Sequence, residues 1–79
     1  MFTNKAENGK NNICGETVAA LRVKANWSQR QLADKLLTVG LDVDKNAIQR
    51  IEAGLRFVTD IELVKIAEVF DIDVNVLLN

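Results

Sequence analysis

Four side chains that can each form several hydrogen bonds lie close together in the middle of the chain. They are Lys45, Asn46, Gln49 and Arg50, spaced i, i+1, i+4 and i+5. On an α-helix this spacing places them on one face. Asparagine and glutamine amides can bond adenine in two places, and arginine or lysine can bond guanine. The face therefore suits the base edges of DNA, although an ordinary solvated helix face can have the same composition.

The helix that presents this face is bounded by clear end signals. Asp44 is a good N-cap, and Gly54 suits the left-handed backbone that follows many helices. Between them, Ile48 and Ile51 fall on the opposite side and are expected to point inward. The sequence thus predicts a short helix over residues 44–53 with one polar and one apolar face.

A second helix is predicted immediately before this one. Ser28 and Gln31 form an S-x-x-Q capping box, and Trp27 before the cap can contact Leu32 as a hydrophobic staple. The side of this helix that is expected to be buried consists of Leu32, Ala33 and Leu36.

The connection between these two helices, residues 37–43, contains Gly40, which we expect to end a helix or to form a turn. The connection is too apolar for a simple surface loop, so some of its side chains should pack against the core while one or two stay exposed. Its apolar residues are Leu37, Val39, Leu41 and Val43.

An earlier helix is predicted over about residues 13–26, where one apolar stripe at helical spacing includes an arginine. An arginine in such a stripe either extends its head into water or meets a buried carboxylate. Cys14, at the exposed start of this helix, is interpreted as a small apolar residue rather than a redox group. The stripe consists of Val18, Leu21, Arg22 and Ala25.

The last part of the chain predicts two more helices. After an extended connection in which Arg56 is available for a phosphate, the T-D-I-E sequence from Thr59 is a second capping box and starts a helix over residues 60–70. Asp73 can cap a short helix over residues 74–78 that has more apolar residues than one small core can bury. Some of these are candidates for contact with a partner subunit: Val74, Val76, Leu77 and Leu78.

Composition limits the functions that the chain can have. Its 79 residues make one small domain. Having no histidine and one cysteine, the chain has neither the commonest general base nor a zinc site of known spacing, and it shows no phosphate loop or nucleophile motif. We therefore expect no enzyme activity, no metal and no other cofactor.

No apolar run approaches the ~20 residues that cross a bilayer, and one cysteine without a recognisable signal peptide fits a cytoplasmic protein.

Charge is distributed unevenly along the chain. The six charged residues after Thr59 are five acids and Lys65, a net charge of −4, whereas the whole chain carries −1. Residues 1–59 therefore carry +3. A basic part that contains the polar face and an acidic part beyond it fit a DNA-facing and a DNA-averted side, although such a split also occurs in proteins that never bind DNA.

Residues 1–12 are polar and have no apolar spacing. They predict a flexible N-terminal arm, followed by a domain over residues 13–79. The alternative is an arm that reaches a DNA groove with Lys5 and Lys10.

Several motifs carry a resemblance to a known family. They are L-R at Leu21–Arg22, S-Q-x-x-L-A-x-K-L from Ser28 to Leu36, I-x-R-I-E-x-G from Ile48 to Gly54, and a tail over Thr59–Leu78 that contains A-E-V-F-D-I-D-V-N-V-L-L. In this order they resemble the Cro/repressor-like (XRE-type) helix-turn-helix family over residues 13–79. The resemblance implies an all-α, lambda-repressor-like fold of five short helices. About five residues, roughly Leu37–Leu41, are additional to the family's compact turn, so either the second helix is longer or the connection bulges.

The resemblance also implies roles for individual residues. Gln29 matches a position that holds DNA near the start of the second helix, and Arg56 falls in a loop that family members use against the DNA backbone. Arg22 and Glu52 match a structural ion pair between the first and third helices, which would explain the arginine in the apolar stripe. The positions that reach bases or flanking phosphates from the recognition helix are Lys45, Asn46, Gln49 and Arg50.

These observations together predict sequence-specific binding of double-stranded DNA by a transcriptional regulator, with residues 44–53 in the major groove. A single module of this size binds weakly, so we expect a homodimer on a two-fold related site. No small-molecule effector and no membrane association are indicated. The alternative is a helical protein-interaction module, antitoxin-like or an adaptor, without DNA binding of its own.

Overall fold

The computed structural model describes residues 9–78, which form five α-helices and no β-strand. The prediction of an all-α fold with five short helices is therefore confirmed for this part of the chain. None of these helices is long and apolar enough to span a membrane. The helices are α1 (Gly15–Lys24), α2 (Gln29–Thr38), α3 (Lys45–Glu52), α4 (Asp60–Phe70) and α5 (Asn75–Leu78).

The predicted N-caps of α2, α3 and α4 all form. The Ser28 hydroxyl accepts a hydrogen bond from the Gln31 amide at 3.0 Å, and the Gln31 side chain accepts one from the Ser28 amide at 2.7 Å. The Asp44 carboxylate accepts from the third amide of α3 at 2.8 Å. A second capping box joins Thr59 to Glu62 at the start of α4. These bonds satisfy amides that have no partner inside the helix, so each helix start is fixed locally.

The first four helices end in the same way. A residue shortly after each helix adopts the left-handed backbone: Asn26 after α1, Gly40 after α2, Gly54 after α3 and Asp71 after α4, with φ of 63°, 91°, 78° and 55°. Two amides after each helix bond back to carbonyls of its last turn, which is the Schellman motif. Gly40 and Gly54 thus act as predicted. α1 is shorter than the predicted 13–26 at both ends: it begins at Gly15, after the N-cap Cys14, and it ends at Lys24, before the left-handed Asn26.

The core takes side chains from every helix. Cys14 is buried, which corrects its predicted position at an exposed helix start, and this burial raises the pKa of the thiol. Leu77 is also buried, so it does not face a partner subunit as proposed from the sequence. Ala25 is exposed because it follows the end of α1. The largest fully buried side chains are Leu32, Leu36, Ile48, Ile51, Ile66, Leu77, Val18 and Cys14.

The extended turn between α2 and α3 is packed rather than loose. α2 continues two residues beyond Leu36, and the connection Val39–Asp44 then leads to α3. Within it, Leu41 and Val43 are half-buried against the core, and the Leu41 amide donates to the Leu36 carbonyl at 2.9 Å. The additional residues therefore both lengthen α2 slightly and form a folded connection.

The structure describes the predicted N-terminal arm only from residue 9, so Lys5 lies outside the described residues. The end of the arm contacts the domain. The Asn11 amide donates to the Gly54 carbonyl at 2.8 Å, and the Asn12 side chain bonds two carbonyls at and after the end of α3. These last residues of the arm are held against the domain, and flexibility stays a prediction for residues 1–8.

Candidate nucleic-acid interface

α3 is held by its apolar side and presents its polar side outward. Both α1 and α2 pack against it, and its residues Ala47, Ile48 and Ile51 are buried. The opposite side carries the four hydrogen-bonding side chains identified in the sequence, and all four are exposed. None of them makes a hydrogen bond or ion pair within residues 9–78. This set is named the outer face of α3: Lys45, Asn46, Gln49 and Arg50.

A groove of about 460 Å³ lies between the start of α2 and the start of α3. The Ser28 cap bonds the amide of Gln31, while the amides of Gln29 and Arg30 have no partner inside the helix. No acidic residue occupies the first turn of α2. Helix N-termini with open amides attract anions, and nearby cations strengthen that attraction. The groove is lined by Arg22, Ser28, Gln29, Arg30 and Lys45.

The sequence-based reasoning did not include Arg30 among the site residues. This side chain is exposed and lines the same groove as Gln29 and Lys45. Its place directly after Gln29, in the first turn of α2, is a local signal that could have identified it. Lys45 faces the same groove because of the way in which α2 and α3 pack, and no local pattern in the sequence specifies this packing.

Glu52, the last residue of α3, connects three segments of the chain. Its carboxylate accepts from Arg22 Nε at 2.6 Å and from Arg22 Nη2 at 3.1 Å, a two-pronged pair between α1 and α3. The Arg22 and Glu52 side chains are only 17% and 9% exposed. The hydrogen bonding of Arg22 to the Glu52 carboxylate holds the pKa of Arg22 above its usual value. The ion pair implied by the resemblance is thus present, and Arg22 also donates to the Trp27 carbonyl at 2.8 Å.

Gln29 joins this ion pair to the groove. Its Nε2 donates to Glu52 Oε1 at 3.1 Å, while the half-buried residue also lines the groove at the start of α2. The Gln29 side chain therefore contacts the Arg22–Glu52 ion pair and also forms part of the groove. A contact between Gln29 and DNA stays a prediction.

Arg56 differs from the other predicted DNA-contacting residues. Its Nη2 donates to Glu62 Oε2 at 2.9 Å and its Nη1 to the Phe57 carbonyl at 3.3 Å, and it does not line the groove. Burial alone raises the pKa of the Glu62 carboxyl, but hydrogen bonds from Arg56 and from the Thr59 amide outweigh it, so this pKa is lowered. Arg56 therefore has a structural partner that the sequence reasoning did not predict.

Comparison with known proteins adds independent information. The model of the helix-turn-helix family matches residues 18–77 of the chain. No curated protein and no solved structure matches it. The matched range includes α2, α3 and the groove between them, and it spans most of the chain. The chain therefore belongs to the helix-turn-helix family, of the Cro/repressor-like (XRE) type, which is a DNA-binding family and not an enzyme family.

Proposed function

We propose that this protein binds double-stranded DNA in a sequence-specific way as a transcriptional regulator, with α3 in the major groove. The observation that carries this proposal is the outer face of α3, where four long polar side chains are exposed and have no partner within residues 9–78. Their amides and cations match the donors and acceptors of adenine and guanine edges. Because Ile48 and Ile51 hold the helix from behind, these groups are presented on a fixed element.

The groove beside this face supplies contacts to the DNA backbone. Its open α2 amides, together with Gln29 and Arg30, suit one phosphate, and Lys45 lies at the junction of groove and outer face. Arg56 can add a further phosphate contact, since a guanidinium has five N–H donors and its bonds to Glu62 and Phe57 use two of them. Phosphate contacts fix the frame, and base contacts then give specificity.

The protein acts as a homodimer in this proposal. A single α3 reads only a few base pairs, whereas two copies related by two-fold symmetry read two half-sites about one helical turn apart. Val76 and Leu78 of α5 are exposed apolar residues that can contribute to the contact between copies. No small-molecule effector is part of the proposal.

The test starts with selection of bound duplexes from a pool of random sequence. We expect a palindromic consensus, and tighter binding of the selected duplex than of a scrambled one, measured by fluorescence anisotropy. A charge-removing double variant, Lys45→Ala with Arg50→Ala, should lose this preference while keeping its helical content by circular dichroism.

Binding to a generic duplex over a salt series separates the proposal from its rival. Phosphate attraction is strongest at low salt. If no duplex binds at low salt, the proposal is wrong, and a protein-interaction module without DNA binding becomes the better explanation of the fold.

A further inference from the structure

The segment before α1 lies along the end of α3 and the loop that follows it. The Asn11 amide donates to the Gly54 carbonyl at 2.8 Å, and its Nδ2 donates to the Leu55 carbonyl at 3.0 Å. Asn12 Nδ2 donates to the Ile51 carbonyl at 3.1 Å and to the Arg56 carbonyl at 2.8 Å. Two consecutive asparagines thus bond four carbonyls in and after the last turn of α3.

The side chain of Asn12 makes more hydrogen bonds than that of Asn11. Besides these two donated bonds, its Oδ1 accepts from the Gly15 amide at 2.9 Å. A side-chain amide offers two N–H donors and a carbonyl acceptor in one plane. One half-buried side chain therefore joins the first amide of α1, the last turn of α3 and the loop toward α4.

The two helices come unusually close at this point. A Cβ added at Gly15 would clash with the Ile51 carbonyl oxygen, so no larger residue fits without moving α1 away from α3. On the other side of the loop, a Cβ at Gly54 would lie 2.6 Å from the Lys10 side chain, which itself pairs with Glu16 at 3.0 Å. The end of α3 is therefore positioned by backbone contact with α1, and Asn12 bonds both sides of that contact.

We propose that Asn12 is a positioning residue for DNA recognition, which fixes the C-terminal end of α3 relative to α1. This inference rests on the proposed function. α3 has only eight residues, and Gln49 and Arg50 lie in its last half, next to the carbonyl that Asn12 binds. The groove, by contrast, lies between the start of α2 and the start of α3. A displaced α3 end moves the base-reading groups directly. It reaches the groove only through the bonds of Arg22 and Gln29 to Glu52, so base contacts should change more than phosphate contacts.

Asn12→Asp is the sharpest substitution. It has nearly the same shape and keeps the acceptor for Gly15, but it removes both donors and places a carboxylate against two carbonyl oxygens. Asn75→Asp is the matched control, because it makes the same charge change at an exposed position on α5. If Asn12→Asp does not fold, Asn12→Ser replaces it, since a hydroxyl retains the capping acceptor without a negative charge.

The measured quantity is the ratio of affinity for the selected duplex to affinity for a scrambled duplex. We expect Asn12→Asp to lower this ratio by roughly fivefold or more, the value of at least one lost bidentate base contact, while Asn75→Asp leaves it unchanged. Simple loss of folded protein lowers both affinities by the same factor and does not change the ratio.

If the wild type prefers its selected duplex and the Asn12 variants show the same affinity ratio, the inference is overturned and the proposed function stays intact. A wild-type protein that prefers no duplex overturns the proposed function first. The two failures are therefore distinguishable.

Discussion

The outer face of α3 and its C-terminal end use polar groups in opposite ways. On its outer face, four exposed side chains, Arg50 among them, have no partner within the described residues. At its C-terminal end, the Glu52 carboxylate accepts bonds from Arg22 and Gln29, and the Ile51 carbonyl accepts one from Asn12. A polar group that is shielded from water destabilises the fold unless it is bonded, whereas an exposed one remains solvated until a ligand replaces the water. Stability and recognition are thereby assigned to different residues of one short helix.

The largest effect is expected where the bonded end is broken. Glu52→Ala leaves the shielded Arg22 guanidinium without its carboxylate, and removing one partner of a buried pair costs about 3–5 kcal/mol of unfolding free energy. Urea unfolding followed by circular dichroism measures this change.

Glu68→Ala is the control for that substitution. Glu68 is an exposed acid on α4 whose nearest cation, Lys65, lies 3.9 Å away. Exposed pairs of this kind contribute about 0–1 kcal/mol. If Glu52→Ala costs no more unfolding free energy than this control, the ion pair does not anchor α3. The contrast between its outer face and its C-terminal end is then lost.

The next largest effect is expected on the outer face, in binding rather than stability. Arg50→Ala should weaken binding to the selected duplex by about 1–3 kcal/mol, the value of a bidentate guanine contact. The melting temperature should stay close to that of the wild type, because the Arg50 side chain has no partner within residues 9–78. Lys65→Ala, which removes one positive charge from the acidic part of the chain, should retain nearly full affinity. An equal loss of melting temperature and affinity in Arg50→Ala would instead assign Arg50 to the fold.

Features set by neighbours in the chain could be predicted from the sequence. The capping boxes at Ser28 and Thr59 bond groups three residues apart, and the outer face of α3 follows from helical spacing alone. Gly40 and Gly54 act at helix ends, where left-handed backbone is required. In each case the residues involved are close together in the chain, so the local pattern contains the whole feature.

Features that depend on packing could not be predicted in this way. Asn12 bonds carbonyls 39 and 44 residues away, and nothing in a polar segment of lysine, asparagine and glycine identifies those partners. Arg56 meets Glu62 only because the loop turns back onto the start of α4. Leu77 belongs to a four-residue helix, which is too short for a periodic pattern to distinguish its buried side from its exposed one. The resemblance identified the Arg22–Glu52 pair, which spacing alone did not.

A smaller effect, with a distinct pH dependence, is expected at the second ion pair. The pKa of Glu62 is lowered, so its carboxylate stabilises the fold above the unfolded-state pKa of about 4.3, and this contribution is lost as pH falls through the lower folded-state pKa. Glu62→Gln should cost about 1 kcal/mol at neutral pH, because a hydrogen bond to a charged group becomes a neutral one. Between neutral pH and about pH 3, the variant should lose less unfolding free energy than the wild type.

A double-mutant cycle with Arg56→Gln checks the partner of Glu62. If the two side chains act as a pair, the double variant should be little less stable than either single variant. Additive losses, or an unchanged acid dependence in Glu62→Gln, would mean that the pair does not contribute to stability and that Arg56 is free to contact DNA.

The smallest expected effect separates the two kinds of contact within the outer face itself. Lys45 lies where this face meets the groove at the start of α2, so we expect it to contact a phosphate. Lys45→Gln should weaken binding to selected and scrambled duplexes by the same factor, and it should make the slope of log affinity against log salt shallower by about 0.9, the value for one phosphate. Gln49→Ala is its counterpart, because Gln49 carries no charge and lies on the same face without lining that groove. It should lower affinity only for the selected duplex and leave the salt slope unchanged. If Lys45→Gln instead weakens only the selected duplex, Lys45 reads a base, and the boundary between phosphate and base contacts lies nearer to α2 than the groove indicates.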